Sequence, residues 1–195
     1  MTDDRTTLDV YDAEAAAYEA RIAEKSSPGL RTFLDHLPPA AHVLDLGCGP
    51  GLSAVAIQAA GHTVDAVDGS AAMVVRAQLN GVNARQALFT DIDATSAYDG
   101  IWANFSLLHL PRPDFAPTLA RLHRALRPGG LFHIGMKLGD GEGRDGLERF
   151  YCYYQPDELE QALTSSGFTL ISCTPGTGRG LDGTLSDWMV ILAHG

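Results

Sequence analysis

The sequence predicts an α/β fold, a mostly parallel sheet with helices on both faces, and three observations point to it. From residue 42 onward, short β-type runs alternate with helical ones. A glycine-rich turn, "DLGCGPG", joins the first of these strands to the helix behind it. The chain, 195 residues with 45% hydrophobic and 19% charged, is long enough to bury one core without disulfide or metal staples. Repeated strand-helix alternation implies right-handed crossovers and hence parallel neighbours. The expectation is a single domain over 1–195, with a helical N-terminal cap over 1–40 and the α/β core over 41–195.

In the cap, Leu8, Tyr11, Ala15, Tyr18 and Ile22 recur at spacings of three and four, the period of one helix face. A second short helix is expected over "GLRTFLDHL", ended by Pro38 and Pro39, which remove donors and favour extended backbone ahead of them. The core then reads as strand "HVLDL", helix near Leu52 to Ala60, strand "HTVDAV", helix near Ser70 to Leu79, strand "ARQALF" and strand "DGIWANF". "PDFAPTLARLHRAL" is helical, with Leu119, Leu122 and Leu126 on one stripe and Asp114 as its expected N-cap. In "RPGG", Pro128 and Gly129 match the central positions of a type II turn leading into strand "LFHIGM". The segment "KLGDGEGRDG" reads as a mobile loop, either a plain connection or a lid. "QPDELEQALTSSGF" has the acids and proline of a helix start, and "TLISC" and "DWMVILA" are expected strands joined by a glycine-rich loop. A terminal hairpin makes the last strand antiparallel.

The glycines Gly47, Gly49 and Gly51 follow a strand and open a helix, where an α/β sheet brings backbone N–H groups to a ligand. Their GxGxG spacing departs from the dinucleotide GxGxxG, and Pro50 withdraws one N–H from any pyrophosphate cradle. A phosphate-free ligand fits better. Asp45 sits inside the apolar strand before the turn. A buried carboxylate there needs either a ligand cation or an internal Arg or Lys. Asp68, at the end of the second strand, stands where a carboxylate holds ribose hydroxyls, or caps the helix near Ser70, or both. Asp91 and Ile92 end the third strand and can read and cover an adenine edge. Asn104 and Phe105 follow the fourth, at the carboxyl edge of the sheet.

These blocks, "VLDLGCGPG", "VDAVDGS" with Met73, "TDID", "NFSLLHL" and "LRPGGLFHIG", resemble in order and spacing the class I S-adenosylmethionine-dependent methyltransferases, of the small-molecule kind with a type 11/12-like domain. The resemblance spans roughly 42–136. It implies a Rossmann-like seven-stranded sheet with its last strand antiparallel, and S-adenosylmethionine as cofactor. It also implies that Asp45, Gly47, Cys48, Gly49 and Gly51 line the methionine part, that Asp68 and Gly69 lie at the ribose, and that Met73, Asp91 and Ile92 lie at the adenine. Asn104 and Phe105 would contact the methionyl region. Tyr11 and Tyr18 would lie on the helix laid across the cofactor, or simply pack on the sheet.

Methyl transfer is a displacement at a sulfonium carbon, so positioning matters more than building an electrophile. Where the nucleophile must lose a proton, His109 is the candidate base, because it follows the fourth strand and titrates near neutral pH. Lys137, Tyr153 and Tyr154 are candidate substrate contacts. The formal charge of -10 argues against a nucleic-acid partner, and no apolar run approaches a membrane span. Three scattered cysteines and seven dispersed His give no metal-ligand spacing, so no metal is expected. The expectation is a cytoplasmic monomer or homodimer acting on a small-molecule acceptor. Two rival readings are an S-adenosylmethionine-binding regulator without catalysis and an NAD-dependent oxidoreductase.

Overall fold

The computed structural model describes residues 4–23 and 27–195; the remainder of the expected 1–40 cap, residues 1–3 and 24–26, lies outside them. Helix α1 (Arg5–Ile22) starts where the Asp4 side chain accepts from the Thr7 N–H, a capping bond that satisfies one of the first-turn donors. It buries Leu8, Tyr11 and Ala15, the face its periodicity predicts. Helix α2 (Leu30–His36) inserts Phe33 against Trp102, with ring centroids 5.2 Å apart.

The core follows as β1 (His42–Leu46), α3 (Leu52–Ala59), β2 (Thr63–Asp68), α4 (Ala71–Leu79), β3 (Ala84–Gln86), β4 (Tyr98–Asn104), α5 (Arg112–Ala125) and β5 (Leu126–Lys137). A short hairpin of β6 (Glu142–Arg144) and β7 (Phe150–Cys152) precedes α6 (Pro156–Ser165), β8 (Thr169–Arg179) and β9 (Leu185–His194). The seven-stranded sheet has the order β3-β2-β1-β4-β5-β9-β8, parallel through β5, with β9 antiparallel to both its neighbours. Side chains alternate across it: Val43 enters one core with Phe33 and Trp102, while Leu44 and Leu46 enter the other with Ile101 and Phe132. Because β1 is flanked by β2 and β4, the chain order reverses there. A crevice opens at the carboxyl ends of these strands, which is the ligand position of open α/β sheets.

Four local expectations are corrected. Asp114 is the third residue of α5, not its N-cap, which is Pro111. Pro113, at the second helical position, has no N–H needing a partner, and the Arg112 N–H donates to Glu142, so the helix starts earlier. The run "ARQALF" gives only a three-residue strand and then a 3-10 turn over Phe89–Asp91. The glycine-rich segment after β5 contains β6, paired with β7, so it is not simply a loop. The segment "PGTGR" likewise continues β8 in register with β9. There, Gly176 lies under the Trp188 ring, where a side chain would collide. No helix among the described residues is long and apolar enough to cross a membrane.

Candidate active site

The turn after β1 is held by its own backbone: the Gly47 and Cys48 N–H groups both donate to the Val67 carbonyl, at 2.8 and 2.9 Å. Gly47 has φ +77°, and a Cβ there would stand 2.4 Å from the Ser106 Cβ. The Ser106 hydroxyl in turn donates to the Leu46 carbonyl at 2.6 Å, tying the end of β1 to the segment after β4. Gly47→Ala combines a left-handed backbone with overpacking and is expected to destabilise the fold by at least about 2 kcal/mol. Urea unfolding of the purified variant measures it, and an unchanged midpoint would contradict the packing described.

Two carboxylates flank this turn in different states. Asp68, 3% exposed, accepts from the Gly49 N–H at 2.8 Å and the Ser70 N–H at 2.9 Å, so it organises the loop from within. Burial raises its pKa, and those two bonds work against the rise. Asp45, 2% exposed, has one oxygen, Oδ2, with no hydrogen-bond partner among the described residues. Burial and the nearby Asp68 charge push its carboxyl up to about 8, opposed by a bond from the Ala54 N–H. Among the described residues no Arg or Lys pairs with Asp45.

Asp45 lies on the wall of a cavity of about 380 Å³, with Gly47, Cys48 and Gly49 beside it. That is within the usual range of small-molecule sites. A second pocket of about 40 Å³ continues from it past Tyr11, Tyr18, Gly49 and Asn104 to Asp68, Met73 and His109. The smaller pocket has room for little more than a water molecule in this conformation. Helix α1 covers it, pinned by Asp12, which accepts from the Ser70 hydroxyl at 2.6 Å and the Ala72 N–H at 3.0 Å.

Asn104 and Phe105 line both pockets. The Asn104 Oδ1 accepts from the His133 ring at 3.0 Å. Burial lowers the His133 pKa to about 3, so that ring is neutral and donates from Nε2. His133 is itself stacked on Trp102 at 3.7 Å, which fixes the amide it holds. Phe105 adopts φ +55°, uncommon for a non-glycine residue and of the kind found at ligand sites.

His109 is buried, and both ring nitrogens are engaged. Its Nδ1–H donates to the Phe150 carbonyl, so Nε2 accepts from the Tyr11 hydroxyl at 2.8 Å. Burial lowers its pKa to about 3. The Tyr11 oxygen also accepts from Arg149 at 2.9 Å, and Arg149 is paired with Asp145. The chain from Asp145 to Phe150 therefore fixes α1 against the ligand edge, and it leaves His109 no free nitrogen to take a proton from an acceptor.

Of the other candidates, Tyr18 lines both pockets and meets the Tyr11 ring edge-on. Lys137 lines the larger one. Asp91 is exposed and caps its own 3-10 turn through the Leu88 N–H, while Ile92 is buried in the core. The Gly69 carbonyl accepts from Gln86. Tyr153 and Tyr154 line neither pocket: Tyr153 stacks on Tyr151, and Tyr154 packs on Phe115. Sequence reasoning missed Arg149 and Trp188 on the larger wall. Tyr151 joins that wall from the aromatic run "RFYCYY", but nothing local marks Arg149 as buried.

Residues 43–130 match the family model described as a methyltransferase domain. The match spans β1 to the start of β5, so this part of the chain is similar to a methyltransferase domain. Among curated relatives, an O-methyltransferase of Aspergillus sclerotiorum is 31% identical over 155 residues, covering 68% of this chain and 56% of the relative. The trans-aconitate 2-methyltransferase of Delftia acidovorans is 38% identical over 107 residues, covering 51% of this chain and 39% of the relative. The chain thus spans little more than half of the first relative and about two fifths of the second. In fold, the chain is similar to the 1,6-didemethyltoxoflavin-N1-methyltransferase of Burkholderia thailandensis, solved with 1,6-didemethyltoxoflavin and S-adenosylhomocysteine. The TM-score is 0.72 at 24% identity, covering 100% of this chain and 91% of that one.

The domain's own chemistry fits a sulfonium nucleoside. An orphaned buried carboxylate oxygen at Asp45 offers a cationic ligand the partner it lacks. Asp68 retains acceptor capacity beyond its two backbone bonds, since a carboxylate takes about four.

Proposed function

We propose that the chain transfers a methyl group from S-adenosylmethionine to a small-molecule acceptor. The observation that carries this reading is the unpartnered Oδ2 of Asp45 on the wall of a 380 Å³ cavity, inside a segment similar to a methyltransferase domain. Two of the similar proteins are named for small molecules, trans-aconitate and 1,6-didemethyltoxoflavin.

In this reading Asp45 and the Gly47–Gly51 turn hold the methionyl part, and Asn104, oriented by His133, offers its Nδ2 hydrogens to it. Asp68 holds the ribose and Met73 borders the adenine once α1 moves aside from the smaller pocket. The cofactor supplies an activated methyl on a cationic sulfur. The chain's own residues place that methyl against an acceptor in the larger cavity and, under α1, exclude water. Tyr11 and Tyr18 close the site, and His109 positions Tyr11. With His109 engaged on both nitrogens, the acceptor arrives already nucleophilic or is deprotonated by another group. The three cysteines are unpaired, which supports a cytoplasmic location.

Calorimetric titration with S-adenosylmethionine, S-adenosylhomocysteine and NAD is the first test, followed by turnover across metabolite pools read as S-adenosylhomocysteine release. Binding of both sulfur nucleosides with turnover of at least one pool is expected. NAD binding without a response to the sulfur nucleosides would overturn the reading, and saturable cofactor binding with no turnover would favour the regulator.

A further inference from the structure

The chain carries a formal charge of -10, yet among the described residues the wall of the larger cavity holds four cationic side chains, Arg21, Lys137, Arg149 and Arg179, and one acid, Asp45. Their partners separate them. Arg149 is buried and neutralised by Asp145 at 2.5 Å, with a further bond to Tyr11. Arg21 and Arg179 are exposed and donate to the Leu181 and Gly183 carbonyls of the β8–β9 hairpin tip, which places them at the rim. Lys137, the last residue of β5, is only partly exposed, and its ammonium has no hydrogen-bond or ion-pair partner among the described residues. It lies 4.2 Å from the centre of the Tyr151 ring. Asp182 and Asp145 act on it through longer-range fields, and the Asp182 carboxylate is bonded to Thr184.

We propose that the acceptor is a small anion, a carboxylate on an unsaturated or aromatic skeleton, and that Lys137 binds its charged end. This rests on the methyl-transfer reading and deepens it. A partly buried ammonium with three donors and no acceptor favours an anion that supplies both charge and lone pairs. Burial and the Arg149 charge lower its pKa, a strain that a bound anion relieves. Tyr151, Trp188 and Phe105 line the same space and give the skeleton ring surfaces to pack on. Phe105 and Trp188 meet edge-on at 5.9 Å, a rigid corner rather than a flexible wall. The cavity is therefore polarised, with the unpaired acid at the glycine turn and the unpaired cation at the end of β5. A donor cation and an acceptor anion bind in one relative orientation, and a neutral analogue leaves Lys137 with only the face of the Tyr151 ring as a partner.

Benzoate and benzamide, of nearly equal shape, test the charge requirement by calorimetry on the wild type, Lys137→Met and Lys137→Arg, each with and without saturating S-adenosylhomocysteine. In the wild type benzoate is expected to bind roughly tenfold or more tighter than benzamide. Lys137→Met should lose that preference and Lys137→Arg keep most of it, with S-adenosylhomocysteine affinity alike in all three. Thermal midpoints confirm that each variant is folded. Equal affinity for the two probes in the wild type, no benzoate binding, or an undiminished preference in Lys137→Met would each overturn the proposal. Absence of S-adenosylhomocysteine binding instead overturns the methyl-transfer reading, and the two probes on the bare protein still decide whether Lys137 is an anion site.

Discussion

Asp45→Asn is expected to stabilise the ligand-free protein at alkaline pH while weakening S-adenosylmethionine binding and removing most turnover. Its carboxyl titrates near 8 in the fold and near 4 in the unfolded chain, so between those values the folded state binds the extra proton. Stability rises with pH only where the unfolded state binds more protons, so the Asp45 contribution is complete below about pH 4 and is lost as pH climbs towards 8. His109 and His133 act in the opposite sense. Their pKa values of about 3 lie below the unfolded value, so their contribution is lost as pH falls from about 6.5. The two histidines are common to the wild type and Asp45→Asn, so the difference between the two proteins isolates the Asp45 effect. Between pH 6.5 and 8 it corresponds to at most about 2 kcal/mol. Urea unfolding across that window should show the wild type weakening and Asp45→Asn holding steadier. The cationic cofactor, which favours ionised Asp45, should bind the wild type more tightly as pH rises through the same window and bind the variant with little pH dependence. Parallel stability profiles for the two proteins would refute the assigned state of this carboxyl.

Asp68→Ala is expected to be damaging in two separable ways. Removing the carboxylate strands the Gly49 and Ser70 N–H groups in a buried place, a loss of about 2–5 kcal/mol in stability. It also removes a charged acceptor for the ribose, equivalent to roughly ten- to hundredfold in cofactor affinity. Asp68→Asn retains one acceptor oxygen and should recover part of the stability. Thermal unfolding together with calorimetric titration of S-adenosylhomocysteine on both variants separates the effects. A variant as stable as the wild type would show that the loop does not depend on this residue.

The sheet and most helices were legible in the sequence because each rests on a local rule, such as period-2 apolar runs and a period-3.6 stripe on α1; the cap of α4, though, is Ser70, whose hydroxyl accepts from the Met73 N–H, and not Asp68. Asp45 was legible as a puzzle, since an acid in "HVLDL" violates its strand, but only the packing of the crevice shows that one oxygen has no partner. Asp68, whose charge reaches Asp45, is committed to the Gly49 and Ser70 N–H groups, which no spacing reveals. The strand in "PGTGR" was hidden because its glycines, which suggest a loop, are required by the Trp188 ring lying across them. His109 was legible by position and not by state: its bonds come from Tyr11 and Phe150, 98 and 41 residues away. Arg149 was invisible for the same reason, being an ordinary surface-type residue until Asp145 and Tyr11 close over it.

The two halves of the crevice are written in different parts of the chain. Apart from Tyr11 and Tyr18, the smaller pocket is built wholly from residues 47–109, inside the segment that matches the family model. Lys137, Arg149, Tyr151 and Trp188 of the larger cavity lie beyond it. Those residues ride on β5, a small hairpin and the β8–β9 pair, which join the sheet through backbone bonds indifferent to the side chains facing the cavity. Under the proposed reading, donor recognition and acceptor recognition are thus modular in part. Exchanging Lys137, Tyr151 and Trp188 would alter acceptor recognition, whereas Arg149 and the Phe150 carbonyl must be kept, because they fix Tyr11, His109 and α1 over the donor pocket.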